Sequence, residues 1–260
     1  MNPDPSASAF DWPSRVKAAA IHACLSLLVA AGAAALVFWV WYPYPYREIS
    51  GGRELFTLVV AADVVLGPLL TFAVFNRRKP RQELRRDLAV IVMLQLAGLA
   101  YGLHALAAAR PVHPAWELDR MRVIHAVDVP EELLERAPEG LRTLPWTGPT
   151  PVAVRPFRDA AEAGDVTLAA LGGADMGARP DLWQAYPEAA ARIRASAQPV
   201  SSLRALRPAA TASLDAAIQS TGVPESELMW LPLVGRKSFW TVLLRKDNVL
   251  PVAYLPLDPY

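Results

Sequence analysis

Three long apolar runs constrain this chain more than any other feature. A bilayer core of about 30 Å needs roughly 20 apolar residues in a helix, and Val16–Tyr42, Leu55–Phe75 and Leu88–Ala109 each reach that length. The chain has 260 residues, of which 53% are hydrophobic, and most of this excess precedes Arg110. We therefore expect a disordered tail over residues 1–14, a membrane domain over residues 15–110 and an outer domain over residues 111–260.

The first apolar run has two interpretations. Arg15 and Lys17 lie at its start, as basic residues do in a secretory signal peptide. However, the run is longer than the roughly 7–15 apolar residues of a signal peptide. It also ends in aromatic residues of the kind found at membrane interfaces: Phe38, Trp39, Trp41, Tyr42, Tyr44 and Tyr46. These features favour a retained transmembrane helix that ends in an interfacial aromatic belt.

The basic residues predict the orientation. Asn76–Asp87 contains six Lys and Arg residues and two acidic residues, whereas Pro43–Glu54 contains two of each kind. Lys and Arg accumulate in cytoplasmic loops. We therefore expect a cytoplasmic N-terminal tail and an outer domain on the opposite side of the membrane, which in a Gram-negative cell places residues 111–260 in the periplasm.

Charge, cysteine content and motifs exclude several classes of function. After Arg110 the chain has 15 basic and 18 acidic residues, and a nucleic-acid-binding domain needs a clustered basic surface. The single cysteine, Cys24, excludes internal disulfides and cysteine-based zinc sites. The motifs GxSxG, HExxH, GxGxxG and GxxxxGK[ST] are absent, and His113 and His125 are isolated. We expect no metal, no cofactor, no bound nucleic acid and no enzymatic activity.

Asp63 is the one acidic residue in the three runs. Such a residue faces the helix bundle and needs a partner. At about 1.5 Å of rise per residue, Asp63 lies roughly 18 Å from the cytoplasmic end. Tyr101 lies at about 20 Å and His104 at about 24 Å, so we expect them to be its neighbours. His22 and Gln95 lie together at roughly 9–11 Å. Asp63 belongs either to a proton or substrate relay or, as we favour, to a hydrogen bond that fixes helix packing. An intramembrane aspartyl protease is disfavoured because it needs a second carboxylate.

Small residues indicate close approach between helices. Gly98 and Gly102 form a GxxxG pattern, which predicts either packing within the bundle or a docking face for a helix of another protein. Gly67 and Pro68 lie inside the second run, where a proline removes a backbone donor and tends to kink the helix.

The outer domain shows the mixed signals of a small α+β fold. We expect a hairpin from Trp116–Leu118 and Met121–Ala126, and a second hairpin from Ser238–Arg245 and Leu250–Leu255 that turns at residues 246–248. Further strands are expected at Pro151–Val154 and Trp230–Val234. Helices are expected at Pro130–Ala137, Pro180–Ala197 and Ser213–Thr221, and loops at Gly140–Pro151 and Gly164–Pro180.

Several short clusters, in their order and spacing, resemble the type IV pilin accessory protein family, often labelled TfpX/TfpZ. The resemblance covers the membrane domain and the final strands. The clusters are Trp41-Tyr42-Pro43, Gly51-Gly52, Asp63 with Gly67-Pro68, Gln95, Tyr101-Gly102, Arg110-Pro111, and Tyr254-Leu255-Pro256-Leu257-Asp258-Pro259.

This resemblance implies an inner-membrane chaperone or modulator in bacteria that make type IV pili. Its partners would be the major pilin in the membrane, the pilus assembly machinery and membrane lipids, and no enzymatic activity is implied. Three alternatives remain open from the residues alone: a membrane-anchored sensor or regulatory subunit, a periplasmic membrane-bound enzyme, and a structural subunit of a larger membrane complex.

Overall fold

The computed structural model describes residues 11–260, so most of the predicted tail over residues 1–14 lies outside the described residues. Residues 12–14 are helical, because the first membrane helix begins at Trp12. The Asp11 side chain accepts a hydrogen bond from the Ser14 backbone N–H at 3.3 Å, and Pro13 lies in the first turn. A capping side chain and an early proline both favour a helix start.

Three helices in the described part of the chain are long and apolar enough to cross a membrane: Trp12–Trp41, Gly52–Val74 and Arg81–Ala108. The three predicted long apolar helices are confirmed. Their bounds differ, because Arg81–Asp87 forms the first turns of the third helix instead of a loop. Arg, Gln, Glu and Leu are good helix formers, so the helix continues beyond the apolar run into polar sequence.

The second membrane helix is irregular near its proline. It consists of α-helical Gly52–Ala61, π-helical Ala62–Leu66 and α-helical Gly67–Val74. Pro68 has no backbone N–H and cannot bond the carbonyl one turn earlier. A π-helical turn is a common way to accommodate such a gap. The first helix also ends in a π-helical segment, Leu36–Trp41.

The chain divides into two compact units. The membrane unit extends to Val37 and includes Arg53–Leu106. The sheet unit comprises Phe38–Gly52 and Ala107–Tyr260. Phe38–Gly52, which connects the first two membrane helices, is therefore part of the sheet unit, and we name it the inserted segment. The outer domain that we predicted, residues 111–260, does not include this segment.

One mixed sheet of eight strands organises the sheet unit within the described residues. Its order is β4-β3-β1-β2-β6-β7-β8, and β5 pairs with β6. The β1–β3 and β2–β6 pairs are parallel, and the other pairs are antiparallel. The strands are β1 Pro111–Glu117, β2 Arg120–His125, β3 Val152–Val154, β4 Trp183–Ala185, β5 Gln198–Pro199, β6 Leu228–Val234, β7 Phe239–Arg245 and β8 Pro251–Leu255.

Both faces of this sheet are covered. Alternate residues of β6 point to opposite faces, so Leu231 belongs to one core cluster and Trp230 to another. The Leu231 face packs against Tyr186 and Ile193, and the Trp230 face packs against Leu214 among other residues. The α-helices of this unit are Tyr46–Ile49, Glu131–Leu134, Ala160–Leu171, Ala190–Ser196, Val200–Leu206 and Thr211–Thr221.

The inserted segment completes the core on the Leu231 face. Its short helix, Tyr46–Ile49, buries Tyr46 and Ile49 beside Met121 and Trp240. Tyr42 is 1% exposed and Tyr46 is 5% exposed. The interpretation of these two tyrosines as an interfacial belt was therefore wrong, because their rings are buried in a protein core. Of the same predicted belt, Trp39 and Tyr44 are exposed.

Most predicted elements of the outer domain are present. The β1–β2 and β7–β8 hairpins, strands β3 and β6, and the helices at 131–134 and 211–221 are confirmed, with bounds shifted by a few residues. The last of these helices ends at Gly222, whose φ of 64° is the left-handed conformation that favours glycine.

Two predictions were wrong. Gly164–Pro180 was expected to be a loop, but Ala160–Leu171 is a helix. Asp159 caps this helix by accepting a bond from the Glu162 N–H at 2.8 Å, and this cap outweighs the cost of Gly164. The helix expected at Pro180–Ala197 is reduced to Ala190–Ser196, because the residues before it pair with β3 as β4.

Candidate functional site

A groove of about 440 Å³ lies within the membrane unit, and all three membrane helices line it. Its walls are mainly aliphatic. Five polar side chains also line it: His22, Ser26, Asp63, Thr71 and Gln95. A mainly apolar cavity with a few convergent polar groups is typical of a binding site, so this groove is the candidate functional site.

Three of the predicted intramembrane residues meet at this groove. The Gln95 Nε2 donates a hydrogen bond to the backbone carbonyl of Asp63 at 2.8 Å. The same amide packs against Gly67, where a Cβ would overlap it. Carbonyls near a proline in a membrane helix are commonly satisfied by neighbouring helices. Gln95 therefore joins the third helix to the irregular part of the second, next to Pro68.

The first helix joins the second through polar contacts. The Nδ1 of His22 lies 2.5 Å from the Thr71 hydroxyl, and the Thr71 side chain is buried. Arg15 donates to the carbonyls of Phe72 at 2.9 Å and Ala73 at 2.7 Å, at the end of the second helix. His22 and Gln95 both line the groove.

The Asp63 carboxylate is different from the other polar groups. Within residues 11–260 it forms no hydrogen bond and no ion pair; only its backbone carbonyl is bonded. The predicted neighbours Tyr101 and His104 do not line the groove and are exposed. The prediction of these neighbours was wrong because the depth estimate gives the level of a residue but not its direction around the helix.

The two glycines of the GxxxG pattern also have different surroundings. Gly102 is buried, and a Cβ there would lie 2.5 Å from the Val59 Cγ1 on the second helix. Gly98 is exposed, and no heavy atom lies within 4 Å of its Cβ position. Gly102 therefore packs within the unit, and Gly98 belongs to an open face.

The remaining motif residues lie in the sheet unit. The Tyr42 ring packs where a Cβ of Gly52 would be, at 2.5 Å. Gly51 has a φ of 76°, which favours glycine. Trp41 and Pro43 are half-buried. These contacts stabilise the turn that the inserted segment forms.

Arg110 anchors the start of the sheet. It is 7% exposed, donates to the carbonyls of Pro145 at 3.2 Å and Ala107 at 2.7 Å, and lies 4.0 Å from the centre of the Trp146 ring. Burial lowers the pKa of Arg110, and Tyr42 opposes this shift. Pro111 follows as the first residue of β1.

The motifs from the two ends of the chain meet. The Tyr46 and Tyr254 hydroxyls are 3.4 Å apart although the residues are separated by 208 positions. Burial is the main cause that raises the pKa of each phenol, so both are neutral. In the closing motif, Leu255 and Pro259 are buried, Leu257 is half-buried, and Pro256 and Asp258 are exposed. The carbonyl of Leu257 accepts from Thr241 at 2.8 Å.

Sequence reasoning missed a polar cluster in the sheet unit. Arg236 bonds both carboxylate oxygens of Asp128, at 2.8 and 2.9 Å, and His125 Nδ1 lies 3.2 Å from the same carboxylate. The His125-x-x-Asp128 spacing was a weak signal, but Arg236 is 108 positions away. Among the described residues, no group of three or more His, Cys, Asp or Glu residues is placed to hold a metal ion.

A buried carboxylate, Glu117, supports the turn around Gly177. Glu117 accepts from the Gly177 N–H at 2.9 Å and from Arg122 at 3.1 Å. Burial raises the pKa of Glu117, and Arg122 opposes that shift. These contacts have a structural explanation and need no ligand.

Comparison with known proteins gives a consistent result. The family model described as fimbrial assembly protein FimB matches residues 10–51. A fimbrial assembly protein of serogroup I from Dichelobacter nodosus is 37% identical over 242 residues, which cover 91% of this chain and 93% of the relative. The serogroup E1 protein is 36% identical over the same shares. The protein of serogroups C1 and C2 is 42% identical over 123 residues, 47% of this chain and 92% of the relative. No solved structure matches.

Proposed function

This chain belongs to the fimbrial assembly protein family, an accessory family of type IV pili, and from that premise we propose that it is an inner-membrane accessory protein for the major pilin. In this role it stabilises the pilin or delivers it to the pilus assembly machinery, and it acts without catalysis. Similarity over 91% of the chain carries the proposal, since it includes both the membrane unit and the sheet unit.

The two units support this role. A pilin that waits in the membrane has one apolar helix in the bilayer and a folded head outside it. This protein offers three apolar helices at the first level and a sheet unit at the second. We propose that the membrane unit packs against the client helix and that the sheet unit contacts the client head.

The inserted segment supports a single orientation. It folds with Ala107–Tyr260, which supports our proposal that the end of the first helix and the end of the third lie on the same side of the membrane. The basic residues around Arg77–Arg86 lie on the opposite side. Because Lys and Arg accumulate on the cytoplasmic side, we propose that the sheet unit is periplasmic.

A gene deletion in the native host tests the proposed function. Surface pili, total pilin protein and pilin transcript are compared among the wild type, the deletion strain and the complemented strain. We expect fewer pili or less pilin protein at unchanged transcript, restored by complementation. Normal piliation together with normal pilin levels would reject the accessory role.

A further inference from the structure

The Asp63 carboxylate and the open face of the third helix are complementary. We infer that two copies of this chain associate in the membrane, with Asp63 of one copy accepting a hydrogen bond from the Tyr101 hydroxyl of the other. This association does not depend on the proposed function, because it requires no client.

Among residues 11–260 of its own copy, the Asp63 carboxylate has no hydrogen-bond or ion-pair partner. Gln95 bonds its backbone carbonyl, and His22 and Thr71 contact one another. Ser26 also lines the groove, but it forms no hydrogen bond with Asp63. Placing an ionisable side chain inside a bilayer costs roughly several kcal/mol of free energy unless the group is paired or hydrogen-bonded. A lipid chain in the groove has no donor to offer. The residue that covers Asp63 therefore carries a hydrogen-bond donor.

Tyr101 is an exposed donor on a membrane helix. Its side chain is 76% exposed, and it lies one turn from Gly98, on the same helix face. No atom lies within 4 Å of the Gly98 Cβ position, so a second helix can approach this face closely. The membrane unit thus has an acceptor without a donor, the Asp63 carboxylate. Elsewhere on the same unit it has a donor on an open face, the Tyr101 hydroxyl.

The two groups lie at compatible depths. Gln95 bonds the carbonyl of Asp63 and Gly102 packs on Val59, so Asp63 is level with Gly98, about 5 Å from the level of Tyr101. Side chains lean toward the N-terminus of their own helix, and the second and third helices run in opposite directions. Asp63 and Tyr101 therefore lean toward a common level. Since all copies share one orientation, this match also holds between copies.

Chemical crosslinking between copies tests the contact. In a Cys24→Ser background, two differently tagged full-length chains are co-expressed, one with Asp63→Cys and the other with Tyr101→Cys. The membranes are treated with a membrane-permeant bismaleimide that spans about 8 Å, because a tyrosine bonded to an aspartate holds the two Cα atoms farther apart than the roughly 4–7 Å that a disulfide allows. We expect a dimer that carries both tags. The control replaces Tyr101→Cys by Ala100→Cys, which is at nearly the same depth but about 100° around the helix. Equal crosslinking of the control, or no dimer with Tyr101→Cys, would overturn the inference.

A second measurement separates the hydrogen bond from packing. Energy transfer between labelled full-length copies in liposomes gives the dimer fraction. Tyr101→Phe keeps the ring, and we expect it to weaken association about three- to thirtyfold, the range for one interhelical hydrogen bond. Asp63→Leu should weaken it similarly, and the double variant no further, whereas Asp63→Asn should retain most of the association. Wild-type association for Tyr101→Phe, or a monomeric wild type, would contradict the proposed bond.

Discussion

At the scale of single residues, two glycines in one sequence pattern have different roles. GxxxG indicates a small-residue face, yet only Gly102 packs closely, against Val59, while Gly98 has open space around it. The pattern identifies the glycines but not the direction of their faces. The same limit applies to Tyr101 and His104, whose depth was estimated but whose direction around the helix was not.

The two glycines provide a matched pair of substitutions. Gly102→Ala places a methyl group 2.5 Å from a branched, stiff Val59 side chain, and overpacking of this kind costs about 1–3 kcal/mol. Gly98→Ala meets no described atom of its own copy. We expect a lower melting temperature in detergent for Gly102→Ala only. Equal melting temperatures for the two variants would contradict the close helix contact at Gly102.

His113 makes the stability of the sheet unit depend on pH. Its ring packs on Trp183 with centroids 4.8 Å apart, and its Nδ1 lies 2.7 Å from the Thr150 carbonyl. Burial lowers the pKa of His113 to about 4, and the Thr150 carbonyl opposes this shift. The unfolded chain, with a histidine pKa of about 6.5, binds a proton that the folded protein does not bind.

The sign of this effect follows directly. Stability is fully present above pH about 6.5 and is lost as pH falls toward 4, by up to roughly 3 kcal/mol. We expect hydrogen exchange of the sheet amides in the full chain to accelerate between pH 7 and pH 5, after correction for intrinsic rates. His113→Gln should be less stable at pH 7 but should show a smaller change with pH. An unchanged pH dependence in this variant would assign the effect to other groups.

At the scale of elements, local patterns predicted what local contacts determine. The β7–β8 hairpin and the helix that ends at Gly222 were predictable because their strand alternation and stop signals lie within a few residues. The position of the inserted segment in the core was not predictable, because Ile49 packs against Gly235, which is far away along the sequence. An aromatic run after an apolar span looks the same whether it faces lipid headgroups or a protein core.

Ile49 tests the contribution of the inserted segment. Its side chain is fully buried in the core of the sheet unit, and truncation of such a residue to alanine costs about 2–5 kcal/mol. We expect Ile49→Ala to increase hydrogen exchange in β6 and β7 of the full chain. Val127→Ala, at a residue that is 62% exposed, should change stability by less than about 0.5 kcal/mol. If the two variants exchange alike, Ile49 does not support the sheet.

At the scale of the whole molecule, the chain enters the sheet unit twice. It enters at Phe38, leaves at Gly52 and returns at Ala107. With all three helices crossing the membrane, as we propose, Phe38–Gly52 and Ala107–Tyr260 lie on one side. The apolar runs predicted the number of crossings. The structure adds that the connection between the first two helices folds in one unit with the chain after the third helix.

Cysteine labelling tests the arrangement across the membrane. In a Cys24→Ser background, Gln82→Cys and Gln219→Cys replace exposed glutamines in the membrane unit and the sheet unit. We expect a membrane-impermeant maleimide to label Gln219→Cys in spheroplasts, and Gln82→Cys only after lysis. Labelling of Gln82→Cys in intact spheroplasts would contradict a cytoplasmic location for the basic residues.

The buried contact between Tyr46 and Tyr254 has a consequence for biosynthesis. The ribosome makes the inserted segment early and its partner last, 208 positions later. Until translation is complete, the apolar side chains of the segment have no native core to enter, and a chain that stops before β8 never supplies Tyr254 at all. Completion of this core therefore depends on β8, and a copy that lacks β8 is left with part of the apolar surface of the inserted segment uncovered, where the cell's proteases can recognise it.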